Sequence, residues 1–167
     1  METKTLKAVT ATIDNVKPYG DLIDPGSAAP TADTELFRFW NDLSIADSPA
    51  PLSFGLVYTR AGGLSIPALE RHVQTSETMI PLDADIAVVL GAPTDGDVPN
   101  ADTVAAFRIP RGKAITLKKG TWHYVPLSTT GDPCRTLVAF RQGTPSEDLE
   151  LKELAEIFSY GYEVVLN

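Results

Sequence analysis

Cysteine is nearly absent from this 167-residue chain: Cys134 is the only one, so no intrachain disulfide can staple the fold. No histidine adjoins that thiol to activate it, and it reads as structural. Histidine itself is scarce, at two residues. No apolar run approaches the roughly 20 residues needed to cross a bilayer, and the opening METKTLKAVTATID lacks the apolar centre of a secretion signal. No cluster of Lys and Arg offsets the net charge of -8, which repels nucleic acid and anionic membranes. These absences predict a cytoplasmic protein whose partner is a small molecule, with no nucleic acid and no membrane involved.

What is present describes one globular domain spanning residues 1–167, with 43% apolar and 22% charged residues. Breaker residues mark DPGSAAPTADTE, residues 24–35, as a surface loop or lid. Downstream, SFGLVYT, MIPL, IAVVL, TVAAFRI, AITL and TLVAF are strand-length runs, mostly rich in β-branched or aromatic residues. Turn signals at Gly62-Gly63, Gly91 to Gly96, Arg111-Gly112 and Thr130-Gly131-Asp132 separate them, the spacing of a sandwich, jelly roll or barrel. Thr144-Pro145-Ser146-Glu147 has the pattern of a capping box, and Leu151, Leu154, Ala155 and Phe158 follow at helical spacing. A C-terminal helix over about 145–160 is therefore expected, with EVVL as a last strand. FRFWNDL, residues 37–43, fits an edge strand or a barrel mouth.

Both histidines adjoin β segments. Glu70 and His72 are two apart, so on a strand their side chains share a face, and Glu77 follows five residues later. Gly112, Lys118, Gly120 and His123 reproduce the spacing of the second cupin motif, Gly-x5-Pro-x-Gly-x2-His, with Lys118 at the proline position. The first cupin motif has two histidines one residue apart and then a glutamate; here Glu70 stands for the first histidine. Two strand-borne histidines can arise by chance, but these paired spacings point to a shared pocket in a cupin-like jelly-roll barrel. Glu70, His72, Glu77 and His123 would suit a divalent transition metal such as Ni, Zn, Mn or Fe, and the ligand types do not choose among them. No organic cofactor is indicated.

Glu70-Arg71-His72, then Ile80-Pro81-Leu82, then Trp122-His123 resembles the ureidoglycolate lyase family. Tyr19-Gly20-Asp21, Arg38 with Asn41-Asp42-Leu43, Arg60 and Phe107 are also similar to it, so the resemblance covers residues 19 to about 143. It implies a cupin-like fold, a homodimer, and cleavage of ureidoglycolate to glyoxylate and urea without hydrolysis, within purine and allantoin degradation. Glu77 stands where members carry glutamine and Lys118 where some carry histidine. These departures keep open a lyase or isomerase for another small hydroxy acid, and a non-catalytic cupin that binds a small acid.

That reaction removes a hydroxyl proton, collapses a hemiaminal to an aldehyde and protonates the departing urea nitrogen. Arg38 and Arg60, with Arg141 a weaker third, are candidates to clamp the substrate carboxylate. Glu70 or Glu77 could serve as base and His123 or Lys118 as acid, with His72 beside them. Trp122 is expected to wall the substrate cavity.

Overall fold

A computed structural model describes residues 2–166. Strands β1 (Glu2–Lys7), β2 (Val9–Thr10) and β3 (Gly20–Ile23) precede a hairpin of β4 (Ala32–Asp33) and β5 (Arg38–Phe39). Then come β6 (Leu52–Thr59), β7 (Ser65–Ile66), β8 (Ala68–Arg71), β9 (Glu77–Pro81) and β10 (Ile86–Gly91). A 3-10 turn at Ala101–Thr103 leads to β11 (Ala105–Ile109), β12 (Ala114–Leu117), β13 (Trp122–His123), β14 (Leu127–Ser128) and β15 (Cys134–Arg141). The chain ends with α1 (Thr144–Glu147), β16 (Glu150–Glu153), α2 (Leu154–Phe158) and β17 (Tyr160–Val165). Each of the strand runs read from the sequence between residues 53 and 140 is a strand here, displaced by no more than a few residues.

One sheet runs β16-β8-β13-β10-β11-β2 and another β3-β12-β9-β15-β6, while β1-β17-β7 forms a third. Strand β10 shows why they stack. All six of its residues are buried, because alternate side chains serve two cores. Ile86, Val88 and Leu90 point into a barrel core with Met79, Ile115, Leu117 and Val138 of the facing sheet. Ala87 and Val89 point the other way, against Trp122, Leu154, Tyr162 and Val164 under the third sheet. The result is the mainly β, cupin-like barrel expected. Cys134 is a free, buried member of the barrel core.

The C-terminal helix is shorter than its apolar stripe suggests. Gly143, not Thr144, caps α1, in the left-handed conformation at φ 86 and without a side-chain cap bond. The Thr144 hydroxyl instead donates to the Arg141 carbonyl at 2.7 Å. After one turn the chain becomes β16, which pairs antiparallel with β8 and leaves Leu151 exposed. Unpaired backbone groups along the edge of β8 recruit this segment as a strand and override its helical period. Only α2 keeps the stripe, with Leu154 buried and Phe158 packed beside it. Residues 37–43 contribute β5, which pairs with β4 alone.

Gly20, in the Tyr19-Gly20-Asp21 run, allows β3 to approach β12: a Cβ there would sit 2.0 Å from the Thr116 carbonyl oxygen. Replacing Gly20 with alanine is expected to destabilise the fold by about 2–3 kcal/mol, as overpacking does. A denaturant midpoint unchanged from wild type would show that the backbone yields instead.

Candidate active site

Glu70 lies on β8 and His72 immediately follows that strand, so the two-residue period turns both into the barrel. His123 on β13 pairs directly with Glu70 across the ladder, which brings their side chains together. Glu77 enters from the facing sheet as the first residue of β9. Its Oε2 lies 3.0 Å from His123 Nε2 and 3.3 Å from His72 Nε2. Glu70 Oε1 is 3.6 Å from His123 Nε2. Both imidazoles and the Glu77 carboxylate are buried, whereas the Glu70 side chain keeps 24% of its surface exposed.

Backbone carbonyls fix both rings. His72 Nδ1 is 2.6 Å from the Asp148 carbonyl oxygen and His123 Nδ1 is 2.9 Å from that of Thr121. A carbonyl oxygen only accepts, so each Nδ1 carries the proton, and each Nε2 faces the centre. Gly120 supports this arrangement: in the left-handed conformation at φ 78, it donates its N–H to the His72 carbonyl at 2.6 Å.

Burial alone would raise the Glu77 pKa, but the charge of His123 and its close contact with both imidazoles overcome this and hold the carboxyl at about 2. Burial likewise opposes a charge on His123, yet the Glu77 carboxylate, with help from Glu70, lifts its pKa to about 9. Without a metal ion, the centre is therefore a buried ion pair at neutral pH.

The donor set also fits a cation. Glu70, His72 and His123 each offer one ligand atom, all within 4.8 Å of one another. Glu77 falls outside that group of three but lies closest to both Nε2 atoms. His123 Nε2 and Glu77 Oε2 are buried without a properly aligned hydrogen bond, the condition an ion would relieve. With Nδ1 bonded to a carbonyl, each histidine has the outer partner that metal-binding imidazoles have.

The cavity above this centre has a volume of about 200 Å³. Val57, Met79, Val138 and Phe140 line it from one sheet, Pro145 from α1, and Val125, Pro126 and Leu149 from connecting segments. A larger groove of about 680 Å³ lies elsewhere, beside Thr10, Arg108 and Arg111. It holds neither histidine, and its Arg108 pairs with Asp85 at 3.8 Å. The candidate site is thus the smaller, apolar-walled cavity, which both histidines line.

Of the residues nominated from sequence, Glu70, His72, Glu77 and His123 converge, and the others do not. Trp122 is wholly buried on the opposite face of β13 from His123, where Nε1 donates to Thr94 Oγ1 at 3.0 Å. It walls the second core rather than the cavity, because neighbours on a strand face opposite ways. Arg71 shares that side, stacking over the Trp122 ring at 4.5 Å and pairing with Glu150 at 2.7 Å. The exposed Lys118 donates to the Lys17 carbonyl. Arg38 pairs with Asp33 on the outer hairpin, and Arg60 is exposed beyond the end of β6. Arg141 sits on the outer face of β15 and bonds Glu147 at 2.9 Å. None of the described residues lining the cavity is an arginine or a lysine. Sequence reasoning missed Asp148 and Thr121, whose bonds to the imidazoles run through backbone carbonyls and leave no composition signal. It also missed the apolar wall, although Val57, Met79, Val138 and Phe140 stood on strands whose alternation could have placed them.

A family model described as Ureidoglycolate lyase matches residues 3–160. Ureidoglycolate lyase of Stutzerimonas stutzeri is 29% identical over 150 residues, covering 86% of each chain. That of Pseudomonas aeruginosa strain PAO1 is 29% identical over 147 residues, covering 84% of this chain and 86% of the relative. Among solved structures, Bacillus subtilis oxalate decarboxylase is similar at TM-score 0.44 and 14% identity, covering 65% of this chain. This chain spans about a quarter of that one, at 25%.

The ion pair gives a pH signature to the metal-free protein. Glu77, lowered from 4.5 to about 2, contributes stability that is complete above 4.5 and lost as pH falls through 2. His123, raised from 6.5 to about 9, contributes stability that is complete below 6.5 and lost as pH rises through 9. The stability difference between wild type and Glu77→Gln in the presence of chelator is expected to be greatest between those inner limits. A difference that is flat from pH 3 to pH 9 in urea titrations would contradict the pairing.

Proposed function

The chain belongs to the ureidoglycolate lyase family, and from that premise we propose that it cleaves the carbon–nitrogen bond of ureidoglycolate to give glyoxylate and urea. The carrying observation is the pair of carbonyl-anchored imidazoles that aim Nε2 at one buried carboxylate beneath an apolar wall. His72 and His123, with one or both carboxylates, would hold a divalent ion such as Ni, Zn or Mn. When bound, that ion polarises the substrate's hydroxyl and lowers its pKa.

The protein's own part is proton transfer and exclusion of water. Glu77, held acidic by its neighbours, is a poor base. Glu70 is the carboxylate with solvent access, and it takes the hydroxyl proton and returns it to the departing nitrogen. The hydroxyl oxygen becomes the aldehyde oxygen, the carbon–nitrogen electron pair leaves with nitrogen, and no water is consumed. The apolar wall keeps bulk water from the site and strengthens each charge interaction within it.

One observation favours a second reading: no guanidinium lines the cavity and its walls give a ureido group few partners. A small hydroxy acid with an apolar substituent would lose fewer hydrogen bonds on entering.

Homodimerisation is part of the same proposal, and so is a cytoplasmic setting, supported by the free thiol of Cys134. The contact surface would be β6, which ends its sheet and exposes Leu52, Phe54, Leu56 and Tyr58 on one outer face. A sheet edge with such a stripe invites a second copy. Arg141 shares that face, with Nε and Nη2 buried and unbonded.

Purified protein, chelated and then resupplied with Ni, Mn or Zn, is expected to release glyoxylate from racemic ureidoglycolate. His123→Ala should lower turnover by about 100-fold or more, as loss of a proton-transfer or ligand group does. No turnover under any condition, with turnover of an apolar 2-hydroxy acid in the same assay, would move the assignment to the second reading. Light scattering should find a dimer that Phe54→Glu converts to a monomer; a monomeric wild type at micromolar concentration would remove β6 as the interface.

A further inference from the structure

Asp148 lies 76 residues from His72 in sequence, yet it touches the site through three bonds. Its carboxylate is buried, and Oδ1 accepts the Val73 N–H while Oδ2 accepts the Gln74 N–H, both at 2.9 Å. Its carbonyl oxygen accepts from His72 Nδ1 at 2.6 Å. Asp148 is itself held, since its N–H donates to the carbonyl of buried Thr144 at 2.9 Å and the Thr144 hydroxyl bonds Arg141. The segment it grips, residues 73–76, is the link from His72 to Glu77.

We infer that Asp148 is a positioning residue that sets the ring orientation of His72 and the spacing between His72 and Glu77. The inference rests on reading His72 and Glu77 as site residues. The carboxylate matches this pair of donors, because the two neighbouring backbone N–H groups are met by two acceptor oxygens, one each. Asparagine has one and would turn its NH2 group toward the second donor. Released from this grip, the link shifts against β16 and the Nδ1 bond of His72 opens, freeing the ring to rotate. His123 is untouched, because Thr121, just before β13, anchors it. Pro145 and Leu149, on either side of Asp148, line the cavity wall, so the same short turn shapes the cavity and aims one of its imidazoles.

The test compares wild type with Asp148→Asn, both labelled with 15N and free of metal, by NMR of the ring nitrogens. The expected result is a protected Nδ1 proton on both histidines in wild type and its loss on His72 alone in the variant. Affinity for Zn, measured by calorimetry, should fall by about 10–100-fold, the range for removal of an outer partner of a metal-binding histidine. An unchanged His72 signal in a folded variant, or equal changes on both histidines, would overturn the inference. Should the variant not fold, amide exchange in wild type decides: Val73 and Gln74, despite the exposure of Val73, should be protected on the order of tenfold or more. Exchange at open-loop rates would count against the grip. None of these three readouts uses substrate, so a failure of ureidoglycolate cleavage would leave this result separately legible.

Discussion

A carboxylate buried in a protein barrel stays ionised only if positive charge or hydrogen-bond donors surround it. Isolated, such a charge costs several kcal/mol even after relaxation. Glu77 meets this condition chiefly through the charged ring of His123, whose Nε2 lies 3.0 Å away, with His72 Nε2 beside it at 3.3 Å. Everything near the centre serves that contact. Both rings must present Nε2, so both Nδ1 atoms must be satisfied behind them, and two carbonyls do this. Those carbonyls come from distant parts of the chain: Thr121 beside β13, and Asp148 in the turn between α1 and β16. The centre therefore ties both sheets and the C-terminal turn to one geometry.

The strand period then divides polar chemistry from packing. Along β8, Glu70 and His72 face the cavity while Leu69 and Arg71 face the second core; on β13, His123 and Trp122 divide in the same way. Arg71 satisfies Glu150 and two carbonyls on the far side, so its positive charge does not compete for Glu77. The cavity is left with two carboxylates, two imidazoles and an apolar wall. Recognition of an anionic substrate then falls to the imidazole end, since the described residues offer no other cation inside.

Much of this was legible from residue order alone. The β runs became strands because β-branched and aromatic residues alternating between turn signals fit a pleated, half-buried surface wherever they pack. The spacing from Gly112 to His123 and the Glu70–His72 pair pointed to side chains that converge, because a period of two places side chains on a face without knowledge of the partner strand. The helical stripe failed in the C-terminal segment for the converse reason. Leu151 and Leu154 suit a helix locally, but the open edge of β8 offered backbone partners, and pairing decided the outcome.

The arginine candidates and Trp122 could not be placed by residue type. A guanidinium suits a carboxylate wherever it stands, and only the fold determines whether it reaches the cavity or pairs with Asp33 or Glu147 outside it. Asp148 lay beyond reach too, since its role depends on hydrogen bonds that its carbonyl and carboxylate accept from a segment far away in the chain. The sequence by itself determined the mainly β architecture, the family and the four converging side chains, because these follow from local period and fixed motif spacing. The tertiary structure alone decided which cations are excluded, what orients the imidazoles and that the wall is apolar, because those depend on contacts between segments far apart in the chain.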